Sequence, residues 1–323
     1  MKKNLKIDSP EFGRHALRPL SHMVPNIRIS PFSAREWSNL IFGNFTKKLP
    51  ATTAPGFWLK GAVDFKFYDS GRTALLVCLK HLQLQKNDEV LIVKTTLGPY
   101  ISSCVTKTIE KVCLWSQKLT AQTRLVLVIH EFGFLCPWER IKPYQKLGLP
   151  ILEDCAYGLG SRLEQADIGT HGDYAIYSLP KYYPIPYGGV LAAKKNIQTP
   201  LKSLDLPGKS LKLIIAALNN AHPFNLKWNQ IRRQNWFYFE RKLQAKKIHP
   251  YFPLPLGIIP GVFWVKLPKK LRGDKRKVSL NTAGIEATEY YGQAGFYFPV
   301  HQFLTKYERQ YILYHFLNFN HSS

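Results

Sequence analysis

The middle of the chain alternates between runs of consecutive apolar residues and segments whose apolar positions recur at helical spacing. The apolar runs, typical of strands buried on both faces of a sheet, occupy residues 89–93, 111–115, 124–130, 150–154, 173–178 and 188–194. Helical spacing is found in residues 73–82, 100–109 and 138–147. Strands that alternate with helices predict an α/β domain built on a mostly parallel sheet.

A different pattern follows in the last third of the chain. Basic, aromatic-rich helical segments extend to about residue 247, and a proline-rich turn lies at residues 253–260. A strand at 261–267, a basic helix and a final helix at 305–316 then predict a smaller α+β unit. We therefore predict a large domain over residues 1–209, and linking helices with a small C-terminal domain over residues 210–323. The aromatic stretch at 228–239 is a candidate for buried packing between the domains or between subunits.

Composition narrows the class of protein. The chain has 323 residues, of which 45% are hydrophobic and 20% charged, so it can bury a substantial core. Its five cysteines include no C-x-x-C pair, and we interpret them as buried thiols and predict no metal site. The basic start is not followed by the apolar region of a signal peptide, and no segment approaches the roughly 20 apolar residues of a membrane span. We expect a cytoplasmic protein.

The formal net charge of +24 suggests an anionic partner, with a dense basic run, K-K-L-R-G-D-K-R-K, at residues 269–277. Such a run is usually a solvated loop or helix face, so we predict no specific nucleic-acid partner. A basic surface would equally suit a nucleotide-linked, phosphorylated substrate. Binding to nucleic acid through this surface is kept as an alternative function.

Polar residues gather where two predicted strands end and a third begins. The sequence E-D-C-A-Y lies at residues 153–157, G-D-Y-A-I-Y-S-L-P-K at 172–181, and Y-G-G at 187–189. In open α/β sheets, ligands bind at the carboxyl ends of the strands. The order and spacing of these motifs resemble the DegT/StrS family of sugar aminotransferases, whose members are fold type I enzymes that use pyridoxal phosphate. In that family a Schiff-base lysine precedes a G-G pair by seven and eight residues, as Lys181 does here.

The resemblance extends over most of the chain. D-S-G-R-T-A-L at 69–75, L-V-L-V-I-H-E-F-G at 125–133 and F-P-V-H-Q at 298–302 are similar to further family motifs. Three departures stand out: Tyr187 replaces the family glutamate before the G-G pair, the serine stands three residues before the lysine instead of five, and the motif G-[FY]-N-x-R-M, which contacts the partner subunit's cofactor, has no clear counterpart.

The physical chemistry of the predicted helix start at residues 71–73 suits a phosphate group. A helix N-terminus offers free amide N–H groups and the positive end of the helix dipole. The amides of Gly71, Arg72 and Thr73, the Thr73 hydroxyl and the Arg72 guanidinium are candidate phosphate contacts, and by family position Ser178 adds a hydroxyl.

The resemblance assigns the reacting end of pyridoxal phosphate to two further residues. Asp154 is the carboxylate that would keep the pyridine nitrogen protonated, and Lys181 is the amine that would bind the cofactor and move the proton. Tyr157 stands where the family contacts the phenolic oxygen of the cofactor, and Tyr100 is a candidate to stack on its ring. Taken alone, a strand-end aspartate caps a helix and a lysine lies on the surface, whereas the order and spacing of the set favour cofactor binding.

Four other polar residues have both a structural and a functional interpretation. His130 and His301 lie in family-like motifs, and we interpret both as structural. Arg232 and Arg233 are candidates for the missing phosphate contact, although a solvated helix face is the simpler interpretation.

The resemblance implies an aminotransferase that acts on a keto-sugar nucleotide with glutamate as amino donor and that forms a homodimer. The alternatives are a catalytically degenerate relative that serves as a binding or regulatory protein, and the basic-surface nucleic-acid binder.

Overall fold

The apolar runs of the sequence become the strands of a seven-stranded sheet. The computed structural model describes residues 25–42, 59, 62, 64–163, 166–194, 201, 207–267 and 274–318. Within them the strands are β1 Asp64–Tyr68, β2 Glu89–Lys94, β3 Leu114–Ser116, β4 Thr123–Ile129, β5 Ile151–Asp154, β6 Arg162–Leu163, β7 Ala166–Asp167, β8 Tyr174–Ser178, β9 Gly189–Ala193, β10 His249–Pro250, β11 Phe263–Lys266, β12 Thr288–Tyr290 and β13 Gly295–Phe298. The α-helices are α1 Ala34–Phe42, α2 Gly71–His81, α3 Ser103–Ile109, α4 Lys142–Lys146, α5 Gly208–Ala221, α6 Asn225–Gln244, α7 Asp274–Thr282 and α8 Lys306–Leu317.

The large sheet has the strand order β1-β9-β8-β5-β4-β2-β3. The pairs β2–β3, β2–β4, β4–β5 and β5–β8 are parallel, whereas β9 runs antiparallel to both of its neighbours, β8 and β1. This confirms the predicted mostly parallel α/β sheet, and it places the carboxyl ends of β1, β5 and β8 at one edge.

Burial on both faces explains why the central strands are continuously apolar. On β4, Leu125 and Leu127 pack into a cluster with Leu75 and Cys78 of α2, while Val126 and Val128 face the other side of the sheet toward Ile141. Helix α5 packs on the same sheet, because its Ile214 and Leu218 share a cluster with Val190 and Ala192 of β9.

The C-terminal part forms a four-stranded antiparallel sheet in the order β10-β11-β13-β12, which confirms the predicted small α+β unit. Phe263 and Phe298 of this sheet pack against Phe239 of α6 and Phe316 of α8. Helix α8 begins in a capping box, in which Thr305 and Glu308 exchange side-chain and backbone hydrogen bonds.

Helix α6 joins the two sheets. Its Trp228 lies in the cluster of the large sheet, whereas its Trp236 and Phe239 lie in the cluster of the small sheet. The aromatic stretch predicted as buried packing therefore lies between the two parts of one chain. The domain boundary at residue 209 remains a prediction.

Two further predictions concern the third strand and the basic run at residues 269–277. The third strand begins at Leu114 instead of Lys111, because the amides of Val112 and Cys113 bond to the Ile109 carbonyl and extend the end of α3. The first part of the basic run, residues 269–273, lies outside the described residues. None of the helices in the described ranges combines the length and apolar character that crossing a membrane requires.

Candidate functional site

Three sequence motifs meet at the carboxyl edge of the large sheet. In the strand register, Tyr68 at the end of β1 and Ser178 at the end of β8 both lie opposite Gly189, the first residue of β9. Asp154, at the end of β5, lies opposite Ile176, two residues before Ser178. The end of β8, the end of β5 and the start of α2 therefore converge.

The start of α2 packs directly against the end of β8. Ser70 caps the helix and accepts a hydrogen bond from the Thr73 amide at 3.2 Å. A Cβ atom at Gly71 would lie 3.3 Å from the Ser178 Cβ, so the candidate phosphate residues Gly71 and Ser178 lie side by side, with Arg72 exposed next to them. The Thr73 amide, predicted as a phosphate contact, is instead bonded to Ser70, so the arrangement offers an anion the amides of Gly71 and Arg72 and the hydroxyls of Thr73 and Ser178.

The two glycines of the Y-G-G motif have a steric explanation. Gly188 has a φ of +126°, a conformation that side chains disfavour. A Cβ atom at Gly189 would lie 2.2 Å from the backbone carbon and oxygen of Ser70 and 2.5 Å from the Gly71 nitrogen. The absence of a side chain at Gly189 lets the backbone before α2 reach the sheet.

Asp154 is a buried carboxylate. The amide of Ala156 donates to its Oδ1 at 2.9 Å, which is the one hydrogen bond that this side chain accepts from the described residues. Burial raises the pKa of Asp154, against the opposing effects of the Ala156 amide, of the nearby His130 and of the Lys181 amine. A cationic ring nitrogen placed at this carboxylate would relieve the cost of its burial, so Asp154 fits the protonated pyridine ring of pyridoxal phosphate.

The preceding Glu153 has a different environment, because successive strand residues point to opposite faces. It accepts hydrogen bonds from His130 Nε2 at 2.9 Å and from the amides of Gly169, His171 and Gly172. Burial alone would raise the pKa of Glu153, but these hydrogen bonds, led by that of His130, keep it lowered. Glu153 therefore anchors the loop between β7 and β8.

His130 completes this network, since its Nδ1 accepts the amide of Cys136 at 3.0 Å. His130, Glu153 and Cys155 lie close enough together to hold a metal ion. The hydrogen bonds to both ring nitrogens and to both carboxylate oxygens already explain their arrangement.

Lys181 ends a three-residue 3₁₀ turn, Leu179–Lys181, that follows β8 directly. Its side chain is half-buried, and its Nζ lies 4.8 Å from the centre of the Tyr157 ring. Tyr157 raises the pKa of Lys181, against the opposing effect of burial. The amine therefore faces Tyr157, on the same side of the sheet edge as Asp154, whose carboxylate responds to the charge of Lys181.

An aromatic layer lies beyond Tyr157. The Phe132 ring contacts Tyr157 at 5.5 Å and Tyr297 at 4.5 Å between ring centres, and Phe132 adopts the left-handed conformation with φ 56°. Tyr100 contacts the ring of Tyr290 at 5.2 Å. The structure therefore places Tyr100 against the small sheet, and its stacking on the cofactor ring remains a prediction.

Comparison with known proteins agrees with the geometry. Residues 106–199 match the model of the DegT/DnrJ/EryC1/StrS aminotransferase family. The matched segment is less than a third of the chain, and it is similar to this family. A segment of 63 residues is 35% identical to GDP-perosamine synthase from Escherichia coli O157:H7, and this match spans 19% of the present chain and 17% of that protein.

The likeness in fold is much longer than the likeness in sequence. The aminotransferase TlmJ from Streptoalloteichus hindustanus superposes with a TM-score of 0.69 at 14% identity, over 92% of this chain and 99% of that one. The PLP form of Spr1654 from Streptococcus pneumoniae superposes with a TM-score of 0.66 at 15% identity, over 91% and 98%. These matches show the fold, and with the family match they confirm the resemblance stated from the motifs.

The family segment contains Asp154, Tyr157, Ser178 and Lys181, whereas the start of α2 and Tyr100 precede it. One site residue was misinterpreted from the sequence: Arg232 does not lie on a solvated helix face but is only 1% exposed. Its Nη2 donates to the carbonyl of Lys181 at 3.1 Å. The adjacent Arg233 instead donates to Pro255 and Ile258.

The two residues in the F-P-V-H-Q motif that bear on this region are His301 and Gln302. Burial, assisted by the charge of Arg232, lowers the pKa of His301 to about 3, so this imidazole is neutral and accepts the Phe303 amide through Nδ1. Gln302 bonds to Arg232. The sequence motif indicates a role for the histidine, and no local pattern in the sequence indicates one for the glutamine.

Proposed function

We propose that the protein is a pyridoxal-phosphate-dependent aminotransferase that transfers an amino group from glutamate to a keto-sugar nucleotide, and that it works as a homodimer in the cytoplasm. The observation that carries the proposal is the placement of a buried carboxylate, a half-buried lysine and a helix start at one edge of a fold type I sheet.

Each part of the site has a distinct task in this reaction. The amides of Gly71 and Arg72, with the hydroxyls of Thr73 and Ser178, would hold the cofactor phosphate, and Asp154 would hold the ring nitrogen. Pyridoxal phosphate supplies the electron sink that makes the substrate Cα acidic. Asp154 supports that chemistry because an ionised carboxylate stabilises the positive charge on the ring nitrogen.

Lys181 is the residue that holds the reacting end of the cofactor and then moves a proton at its Nζ atom. Tyr157 orients the Lys181 amine and stabilises its protonated form, and it thereby raises the pKa of Lys181. The aromatic rings of Phe132 and Tyr297 pack behind Tyr157 and support its position against the amine.

The substrate part of the proposal rests on two kinds of support. The family name and GDP-perosamine synthase point to amino-sugar chemistry, and the net charge of +24 favours capture of a substrate that carries phosphates.

The deciding experiment is to load the protein with pyridoxal phosphate, reduce it with borohydride and map the pyridoxyl label by mass spectrometry. We expect the label on Lys181 and a visible absorption band that Lys181→Ala lacks. Lys107→Ala, a change of an exposed lysine on α3, serves as the matched control and should keep both. A label on another lysine, or none, contradicts the assignment.

Substrate class is tested separately. A panel of keto-sugar nucleotides should be aminated with glutamate as donor, and free keto acids should be poor acceptors. Equal activity on small uncharged ketones would remove the nucleotide-sugar part of the proposal and leave the transaminase part standing.

A further inference from the structure

The backbone that carries Lys181 is held by side chains from distant parts of the chain. Arg232 Nη2 donates to the carbonyl of Lys181 at 3.1 Å and to the carbonyl of Tyr182 at 3.3 Å. Gln302 Nε2 donates to the same Tyr182 carbonyl at 2.9 Å. We call Arg232, Gln302 and these two carbonyls the carbonyl clamp.

The guanidinium of Arg232 is itself fixed. Its Nε donates to Gln302 Oε1 at 2.7 Å, its Nη1 donates to the Pro260 carbonyl at 3.4 Å, and its Cζ atom lies 4.8 Å from the centre of the Tyr182 ring. Within the described residues, every hydrogen-bond partner of Arg232 is a neutral amide or carbonyl group. Burial lowers its pKa to about 10.

Burying a cation without a carboxylate partner is costly, and here the hydrogen bonds to neutral carbonyl and amide oxygens offset that cost. Two of them hold the chain at the turn Leu179–Lys181. The amides of Tyr182 and Tyr183 donate to the Leu179 carbonyl and close the turn. The carbonyls of Lys181 and Tyr182 instead accept hydrogen bonds from the side chains of Arg232 and Gln302.

A second contact fixes the other side of Lys181. Ser30 Oγ donates to the carbonyl of Pro180 at 2.5 Å, and the neighbouring Ile29 amide donates to Glu286 Oε2 at 2.8 Å. Since Gln302 and Glu286 both belong to the C-terminal part of the chain, this part holds the lysine turn from two directions.

We propose that Arg232 is a positioning residue for Lys181: through the carbonyl clamp it fixes the backbone from which the lysine amine reaches the cofactor. The proposal rests on the proposed function only for the role of the amine. The guanidinium bonds two successive carbonyls and a glutamine from separate nitrogens held in one rigid plane, whereas the donors of lysine all lie on a single nitrogen.

The direct test measures amide hydrogen exchange in the protein without cofactor. In Arg232→Gln, we expect the amides of Tyr182 and Tyr183 to exchange about tenfold faster or more, because bonds from a charged donor to the turn are lost. Arg233→Gln is the matched control, since Arg233 adjoins Arg232 on α6 but bonds to Pro255 and Ile258. Unchanged exchange in Arg232→Gln, or equal acceleration in Arg233→Gln, overturns the proposal.

Two further variants cover the case in which Arg232→Gln does not fold. Arg232→Lys keeps the charge and one contact, and Gln302→Ala removes the second donor, so both should accelerate exchange in the same turn by a smaller factor. If neither does so, the clamp does not order the lysine backbone and the proposal is wrong.

The cofactor-loaded protein gives an independent measurement. A misplaced amine should lower kcat at least tenfold in Arg232→Lys while KM for the amino donor stays nearly constant, a separation that general destabilisation does not produce. If the borohydride label maps elsewhere but exchange responds to Arg232, the proposed function fails and the clamp stands. If Lys181 carries the label and exchange does not respond, the clamp alone fails.

Discussion

The close approach of Gly189 to the start of α2 makes Gly189→Ala an informative perturbation. The new Cβ atom would lie 2.2 Å from the backbone carbon and oxygen of Ser70, whereas ordinary van der Waals contact begins at 3.4 Å. The obstacle is backbone, so no side-chain rotation can relieve it. The Ser70–Gly71 peptide must therefore move by about 1 Å away from β9, and overpacking of this kind costs about 1–3 kcal/mol.

Two measurements follow from this displacement. In a chain of this size, about 1–3 kcal/mol lowers Tm by roughly 1–5 °C, which thermal unfolding followed by circular dichroism detects. The moved helix start also loses at least one hydrogen bond to the cofactor phosphate, so titration with pyridoxal phosphate should give a Kd about tenfold higher or more.

Gly208→Ala is the control for Gly189→Ala. Gly208 is the exposed first residue of α5, and among the residues that the structure describes a Cβ atom there would meet nothing within 4 Å. Alanine is also the better helix former, so this variant should match or slightly exceed the native Tm and leave the cofactor Kd unchanged. If both glycine variants behave alike, the steric explanation of the Y-G-G motif is wrong.

Three further outcomes are expected. Because burial raises the pKa of Asp154, the folded state binds this proton more readily than the unfolded state, and stability falls as pH rises above the ordinary carboxyl range. Asp154→Asn keeps an acceptor for the Ala156 amide and should remove this pH dependence in thermal unfolding without cofactor, while turnover drops by orders of magnitude; a clear loss of stability would instead mark Asp154 as a structural cap. Tyr157→Phe should lower the pKa of Lys181 and move the lysine limb of the pH–rate profile to lower pH, and an unmoved limb would refute the contact. KM for a nucleotide-linked substrate should rise with ionic strength while kcat changes little, and salt-independent KM would exclude electrostatic capture.

The sequence by itself determined the class of fold and the ends of the strands that matter. Apolar runs 89–93 and 124–130 reveal burial on both faces within a few residues, and the spacing of Asp154, Ser178 and Lys181 is a local property of two adjoining strands. The same local alternation places Glu153 and Asp154 on opposite faces. Periodicity suffices for such features because all of the interacting positions are close together along the chain.

Only the tertiary structure decided the surroundings of these residues. Arg232 has the helical spacing of a solvated position, yet it is buried because its partners Lys181, Pro260 and Gln302 come from three distant segments. Tyr100 lies on Tyr290 for the same kind of reason. No local sequence pattern predicts such contacts. The hydrogen bonds that offset the cost of burying the Arg232 charge form only when the two sheets and α6 pack together.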